Sequence, residues 1–312
     1  MTTATKEWAG NALQNKIQEK IREIAATLLE NGTVDAVIGY SRGSLPHMTR
    51  AIMAKTREDA QKLVFNSHCR MNLAAYLTPE LMEKTCVGKD RAGKVAVVAK
   101  GCDSRNMVIQ IQENRYARDQ VHIIGVPCTG MLDKAALARG VEQEQANCAT
   151  CISRNPVIHD DLAGDPVPEA DPGKDRFADV AKIEAMAPPE KAAFFDDLVS
   201  GCTRCYACRN ACPLCYCPTC FVDEARPQWV GKTVDPTDVM TYHLVRAFHD
   251  AGRCTDCGAC EAACPMYISM RHFTRKTIRD TVTAFGCEAG TDPDKRPALD
   301  RFELKDPEGF IR

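Results

Sequence analysis

Two copies of one cysteine spacing constrain this chain of 312 residues more than any other feature of its sequence. The copies read Cys202-x-x-Cys205-x-x-Cys208-x-x-x-Cys212-Pro213 and Cys254-x-x-Cys257-x-x-Cys260-x-x-x-Cys264-Pro265. Such short, fixed intervals bring several thiolates together on one turn of backbone, and the thiolate is the form of cysteine that binds metal. We therefore expect metal centres in the C-terminal part of the chain.

The rest of the composition excludes the main alternative, a secreted disulfide framework for the 18 cysteines. Residues 1–19 are polar and lack the apolar core of a signal peptide, and no run of 18 apolar residues occurs. A net charge of −2 offers no basis for binding nucleic acid or an anionic membrane. We therefore expect a cytoplasmic protein without membrane insertion, whose cysteines are ligands rather than disulfides.

The doubled spacing is that of ferredoxins that carry two [4Fe-4S] clusters. In this pattern three thiolates hold one cluster, and the fourth, beside proline, ligates the other cluster. The prediction is one cluster on Cys202, Cys205, Cys208 and Cys264, and a second on Cys254, Cys257, Cys260 and Cys212. Structural zinc also uses C-x-x-C pairs, but two complete copies of the longer pattern disfavour it.

Three further thiols, Cys215, Cys217 and Cys220, follow the first motif closely. They could supply ligands to an additional cluster, with Cys287 or Cys69 as the fourth. The alternatives are buried thiols that shield a cluster, or ligands to zinc. The spacing alone leaves these alternatives open.

The N-terminal half predicts an α/β layer with a mostly parallel sheet. Apolar periodicity predicts a helix over residues 10–31 and a helix over 104–114, and three apolar runs predict strands over 34–39, 94–100 and 121–125. Ligands of such sheets bind beyond the carboxyl ends of the strands. Four cysteines are therefore candidates for a third [4Fe-4S] cluster, or else ordinary core residues: Cys102, Cys128, Cys148 and Cys151.

Composition predicts four segments. Residues 1–156 form the α/β domain, and residues 157–195 are an acidic linker rich in proline and glycine. Residues 196–285 form an all-helical domain with two [4Fe-4S] clusters, because the stretches 238–249 and 271–283 carry helical periodicity. Residues 286–312 are an extended C-terminal arm.

Both halves resemble known redox families. Residues 94–103 and 123–128 and the Cys148–Cys151 pair resemble the beta subunits of deazaflavin-reducing hydrogenase and formate dehydrogenase, over about residues 20–155. The resemblance implies that the strand-end cysteines and the C-x-x-C pair hold a [4Fe-4S] cluster near a flavin. Residues 202–213 and 249–260 are similar to iron–sulfur subunits associated with heterodisulfide reductase.

The sequence departs from the flavin-containing members of the first family. Their Ser-Gly-Gly turn is replaced by Gly10-Asn-Ala-Leu-Gln14, and the acidic linker and ferredoxin domain replace their long flavin-side segment. No G-x-G-x-x-G fingerprint or P-loop occurs. Residues 40–46 are the remaining candidate for a phosphate-binding loop, and an ordinary turn explains them equally well. FAD is therefore an open alternative.

These observations predict an iron–sulfur subunit that relays electrons between redox partners in a cytoplasmic oxidoreductase complex and performs no bond-making chemistry itself. The resemblance implies partners among hydrogenase, formate dehydrogenase or heterodisulfide-reductase-like subunits, including electron-bifurcating ones. Two alternatives are a catalytic subunit that contains FAD and a zinc-binding interaction module.

Overall fold

The computed structural model describes residues 11–85, 93–169, 176–300, 302 and 304–305, and Cys86 lies outside them. The chain divides into two compact units. Unit 1 comprises the described residues up to 169 together with residues 290–294, and unit 2 comprises those between 176 and 289 and after 294.

Unit 1 is built around one five-stranded sheet with the order β2-β1-β3-β4-β5. Its strands are β1 (Ala36–Arg42), β2 (Thr49–Ala54), β3 (Val95–Ala99), β4 (Val121–Gly125) and β5 (Asp161–Leu162). Strand β2 pairs antiparallel with β1, and the other neighbours are parallel. The predicted α/β class with a mostly parallel sheet is confirmed.

The helices of unit 1 cover this sheet. They are α1 (Ala12–Glu30), α2 (Arg57–Ala60), α3 (Pro79–Thr85), α4 (Gly101–Gln112), α5 (Lys134–Ala138) and α6 (Ala146–Ala149). Helix α1 begins at a capping box in which Asn11 and Gln14 exchange side-chain hydrogen bonds, and it buries Ile17 and Ile21. Helix α4 starts directly after β3, so that Cys102 lies in its first turn.

The regular elements of unit 2 among its described residues are all helices, as the all-helical prediction requires. Its helices are α7 (Ala178–Glu184), α8 (Pro188–Val199), α9 (Ala207–Asn210), α10 (Pro236–His249), α11 (Ala259–Ala263) and α12 (Arg271–Phe285). The short helices α9 and α11, each following the second cysteine of a motif, pack against each other. Within the described part of the chain, no helix is both long and apolar enough to cross a bilayer.

The segment predicted as a linker, residues 157–195, contains ordered elements. Strand β5 lies in it, and Asp160 accepts a hydrogen bond from the backbone N–H of Ile123 at 2.7 Å. Helices α7 and α8 follow, and Asp179 of α7 pairs with Arg275 of α12 at 2.7 Å. The acidic residues that suggest an exposed linker therefore pair with groups elsewhere in their own unit.

Candidate iron–sulfur centres

The first predicted ligand set converges in the structure. Cys202, Cys205, Cys208 and Cys264 line one cavity of unit 2. Burial raises the pKa of Cys202, and the neighbouring Cys208, Cys264 and Cys205 thiols raise it further, in that order. Cys264 comes from the second motif, so a thiol of the distant stretch lines the cavity for which the ferredoxin pattern predicts a fourth ligand.

The second predicted set converges in the same manner. Burial raises the pKa of Cys260 well above its ordinary value, and Cys257 and Cys212 are the thiols whose charges add to that shift. Burial also raises the pKa of Cys254, to which Cys257 contributes. Cys212 of the first motif thus faces the cysteines of the second, and the two motifs are interlocked.

The two ligand loops share a backbone conformation. Arg204 and Tyr206 have φ values of 50° and 59°, and the corresponding Asp256 and Gly258 have 58° and 72°. A left-handed residue before and after the second cysteine turns the chain sharply around the position a cluster would occupy. The repeat in sequence is therefore also a repeat in conformation.

Hydrogen bonds from unit 2 reach the sulfurs of the first set. The backbone N–H of Arg204 donates to Cys202 Sγ at 3.4 Å, and that of Ile268 donates to Cys264 Sγ at 3.5 Å. His243 Nε2 lies 3.4 Å from Cys202 Sγ, and the Tyr242 hydroxyl lies 3.3 Å from Cys208 Sγ. Donors to ligating sulfurs stabilise the more negative, reduced form of a cluster.

His243, on helix α10, belongs to no motif in the sequence. It is 3% exposed and stacks on Phe273, with ring centroids 5.4 Å apart. Burial, together with Arg246 and Arg204, lowers the pKa of His243 to about 4. The imidazole is therefore neutral at physiological pH, with one N–H to donate. His243 lies one helical turn before Arg246 on α10, and nothing in the sequence around it distinguishes it from a histidine that only packs in the core.

Replacing His243 by phenylalanine is expected to lower the reduction potential of the first cluster by roughly 40 mV. The substitution removes a hydrogen bond worth about 1 kcal/mol in the reduced state, but keeps the stacking on Phe273. Potentiometric titration of the anaerobic protein, followed by electron paramagnetic resonance, measures the shift. Replacement of His159, an exposed residue of unit 1, serves as the control, and an unchanged potential in the His243 variant would contradict the assignment.

A buried ionic network holds the loop of the second motif. Asp256 accepts hydrogen bonds from Arg271 Nε at 2.6 Å and from Arg275 Nη1 at 2.5 Å, and all three side chains are at most 6% exposed. Burial raises the pKa of Asp256, but Arg271 and Arg275 outweigh it, so the pKa is lowered. Helix α12 thereby fixes the residue between Cys254 and Cys257.

Unit 1 brings together three of its four predicted ligands. Burial raises the pKa of Cys128 to about 11, with Cys151 among the neighbouring charges, and raises that of Cys148 to about 12, with Cys128 and Cys151 among them. Cys102 lies in the first turn of α4, and Arg105, one turn further on, acts on the thiol of Cys151.

Backbone N–H groups point at two of these sulfurs. Gly130 donates to Cys128 Sγ and Met131 donates to Cys148 Sγ, both at 3.4 Å. Such donors favour the thiolate, whereas burial favours the neutral thiol. A metal that replaces the thiol proton would remove this conflict, since metal binding to cysteine releases the proton. The donor set therefore fits a metal centre.

A buried cation that no sequence motif indicates, Lys100, acts on these thiols. Lys100 Nζ pairs with Asp103 Oδ2 at 2.9 Å, donates to Met71 O at 3.0 Å and contacts the Tyr40 hydroxyl. Burial lowers the pKa of Lys100, but Asp103, Tyr40 and Cys102 outweigh it, so the pKa is raised and the side chain stays charged. Its charge also acts on the thiol of Cys128.

Cys69, a candidate fourth ligand of the additional site, lies in unit 1. It is fully buried beside Cys128, and burial raises its pKa to about 12. Cys287 is buried in unit 2, just after α12. The three thiols Cys215, Cys217 and Cys220 line a second cavity of unit 2.

Comparisons with known proteins can be set against this geometry. Residues 247–268, which contain the second motif, match the family described as 4Fe-4S binding domain. The predicted [4Fe-4S] binding is therefore confirmed at this level.

Curated proteins that match the chain include two beta subunits of formate dehydrogenase. One is the F420-dependent formate dehydrogenase subunit beta of Methanocaldococcus jannaschii, 37% identical over 84 residues, or 26% of this chain and 22% of that protein. The other is the F420-dependent formate dehydrogenase 1 subunit beta of Methanococcus maripaludis, 23% identical over 87% of this chain and 90% of that protein. The predicted resemblance to formate dehydrogenase beta subunits is confirmed.

Among solved structures, the F420-reducing [NiFe] hydrogenase complex from Methanosarcina barkeri matches with 21% identity and a TM-score of 0.30. The match covers 40% of this chain and 44% of the other. The curated relatives and the 4Fe-4S family support the predicted class, an iron–sulfur electron-transfer subunit of an oxidoreductase complex.

Proposed function

We propose that the chain is an electron-relay subunit with two [4Fe-4S] clusters in unit 2 and a third in unit 1. The observation that carries this proposal is the exchange of ligands between the two motifs. Cys264 joins the first set and Cys212 joins the second. This exchange suits a pair of clusters and serves no purpose in two separate zinc sites, each of which would close on its own loop.

The third cluster is proposed on Cys102, Cys128, Cys148 and Cys151. The convergence of three of these thiols, the N–H donors at 3.4 Å and the buried charge of Lys100 support it. A buried cation beside thiolates offsets their negative charge and raises the potential of a centre bound there. The residues of unit 1 therefore both hold and tune such a centre.

The proposed role is one-electron transfer between redox subunits, in the cytoplasm. When bound, the clusters supply the redox chemistry, and the chain positions them and sets their potentials. The proposed partners are hydrogenase, formate dehydrogenase or heterodisulfide-reductase-like subunits, and the likeness to formate dehydrogenase beta subunits favours the second of these.

Anaerobic purification tests the proposal directly. From these three clusters we expect at least about twelve iron atoms and as many acid-labile sulfides per chain, with broad visible absorbance that dithionite bleaches. Absence of iron and sulfide would overturn the proposal. Release of stoichiometric flavin on denaturation would instead favour the catalytic alternative with FAD, and colourless protein with bound zinc would favour the interaction module.

A further inference from the structure

Unit 2 contains a second cavity that neither motif uses. Its wall carries the three remaining thiols of the cysteine-rich segment, Cys215, Cys217 and Cys220. The segment turns tightly at both ends, where the Cys215 N–H donates to Cys212 O at 3.2 Å and the Asp223 N–H donates to Cys220 O at 2.8 Å. The chain thus presents three sulfurs within six residues to one cavity.

The dimensions of this cavity suit a cluster better than a single ion. The space within its lining, which includes open solvent, is about 440 Å³, compared with about 320 Å³ for the cavity lined by the first ferredoxin set. One group of three metal-binding side chains among the described residues has its ligand atoms within 4.8 Å of one another. It consists of Cys212, Cys215 and Asp250. Cys215, Cys217 and Cys220 stand farther apart, as do the thiols of the first ferredoxin set. A single tetrahedral zinc needs sulfurs within about 4 Å of one another.

The cavity is lined by positive charge. Arg209, Arg246 and Arg253 contribute to its wall. Arg246 is 5% exposed, and its Nε atom is buried without a hydrogen-bond partner among the described residues. A buried guanidinium is costly unless negative charge faces it. Asp250 supplies part of that charge, with its Oδ2 atom 3.5 Å from Arg246 Nη2, and thiolates on a cluster would supply more.

From these observations we propose that Cys215, Cys217 and Cys220 hold an additional [4Fe-4S] cluster in this cavity, and that Arg246 balances its charge. No fourth cysteine lines the cavity among the described residues, so one iron is left for a different ligand. The remaining donor groups on the wall are the Asp250 carboxylate and the His249 imidazole. The cluster would differ from the other three in having an iron that is not held by cysteine.

The full-length protein, isolated anaerobically, provides the test. The double variant Cys217→Ser and Cys220→Ser is the sharpest choice, because Cys215 lies beside Cys212, a ligand of the second ferredoxin set. We expect the natural chain to contain about sixteen iron atoms and the double variant about twelve, with equal losses of sulfide. Mössbauer and electron paramagnetic resonance spectra should lose one component and keep those of the ferredoxin pair.

The variant Cys287→Ser is the matched control, since Cys287 is a buried thiol of the same unit that does not line the cavity. It should keep all of the iron. Retention of the ferredoxin signals shows that the double variant folds. The proposal is overturned if the double variant keeps its full iron content, or if stoichiometric zinc is present in the natural chain and absent from the variant. Neither outcome affects the ferredoxin pair, so the proposed function is tested separately.

Discussion

Replacing Cys264 by alanine is expected to remove the cluster whose other ligands are Cys202, Cys205 and Cys208, while the cluster of its own motif survives. The reason is that Cys264 lines the cavity of the first set. Iron and sulfide should each fall by about four atoms per chain, the content of one cluster. Chemical analysis of the anaerobic protein, with electron paramagnetic resonance of the reduced form, measures both effects.

The reciprocal variant, Cys212→Ala, is the matched control for this crossing. It should remove the cluster held by Cys254, Cys257 and Cys260, and spare the first cluster. The two variants should therefore differ in which signal disappears, although each loses the same amount of iron. If each substitution removed the cluster of its own motif, the interlocked assignment would be wrong.

Replacing Lys100 by methionine is expected to destabilise unit 1 by about 3–5 kcal/mol, the usual cost of removing one partner from a buried ion pair. Asp103 is fully buried, and its Oδ2 atom lies 2.9 Å from Lys100 Nζ. The substitution leaves that carboxylate without its cation. An apparent Tm lower by roughly 10 °C in anaerobic thermal unfolding of the full chain would match this cost.

The exposed pair Lys62–Asp59 offers a matched control. Its atoms lie 2.7 Å apart, but the two side chains are 66% and 31% exposed. Lys62→Met should therefore cost less than about 1 kcal/mol. The double variant Lys100→Met with Asp103→Leu should recover part of the loss, because it removes the unpaired charge. Equal Tm values for Lys100→Met and the natural chain would show that the network contributes little to stability.

The ligand sets of the ferredoxin pair could be predicted from the sequence because their signal is local. Three thiols at three-residue intervals lie close together in space because of the short chain between them. The proline after the fourth cysteine marks the thiol that is expected to ligate the other cluster. The parallel strands β1, β3 and β4 of unit 1 were also predictable, since each contains a short apolar run that is buried. Two strands were missed. Strand β2 is only partly buried, and β5 has two residues.

The charged residues behaved differently. Lys276 and Arg279 follow the second motif in sequence, but they pair with Glu184 and Asp280. The cation that acts on Cys212 and Cys260 is Arg246, which lies on α10 far from both in sequence. The acidic stretch before unit 2 looked like a linker because its partners lie on other elements. The role of a charged side chain therefore cannot be predicted until the residue that it pairs with is known.

The amino-acid sequence by itself determined the class of this protein, because metal-binding thiols are recognised by their spacing within a few residues. It also determined the helical and parallel-sheet character of the two halves, through apolar periodicity. Tertiary structure decided what surrounds the sulfurs. It places His243 beside Cys202 and the charge of Lys100 near Cys128, and it lines one cavity with Arg246 and the three thiols outside the motifs. These neighbours are distant in sequence, and burial, which gives a charge or a hydrogen bond its strength, exists only after the chain has folded.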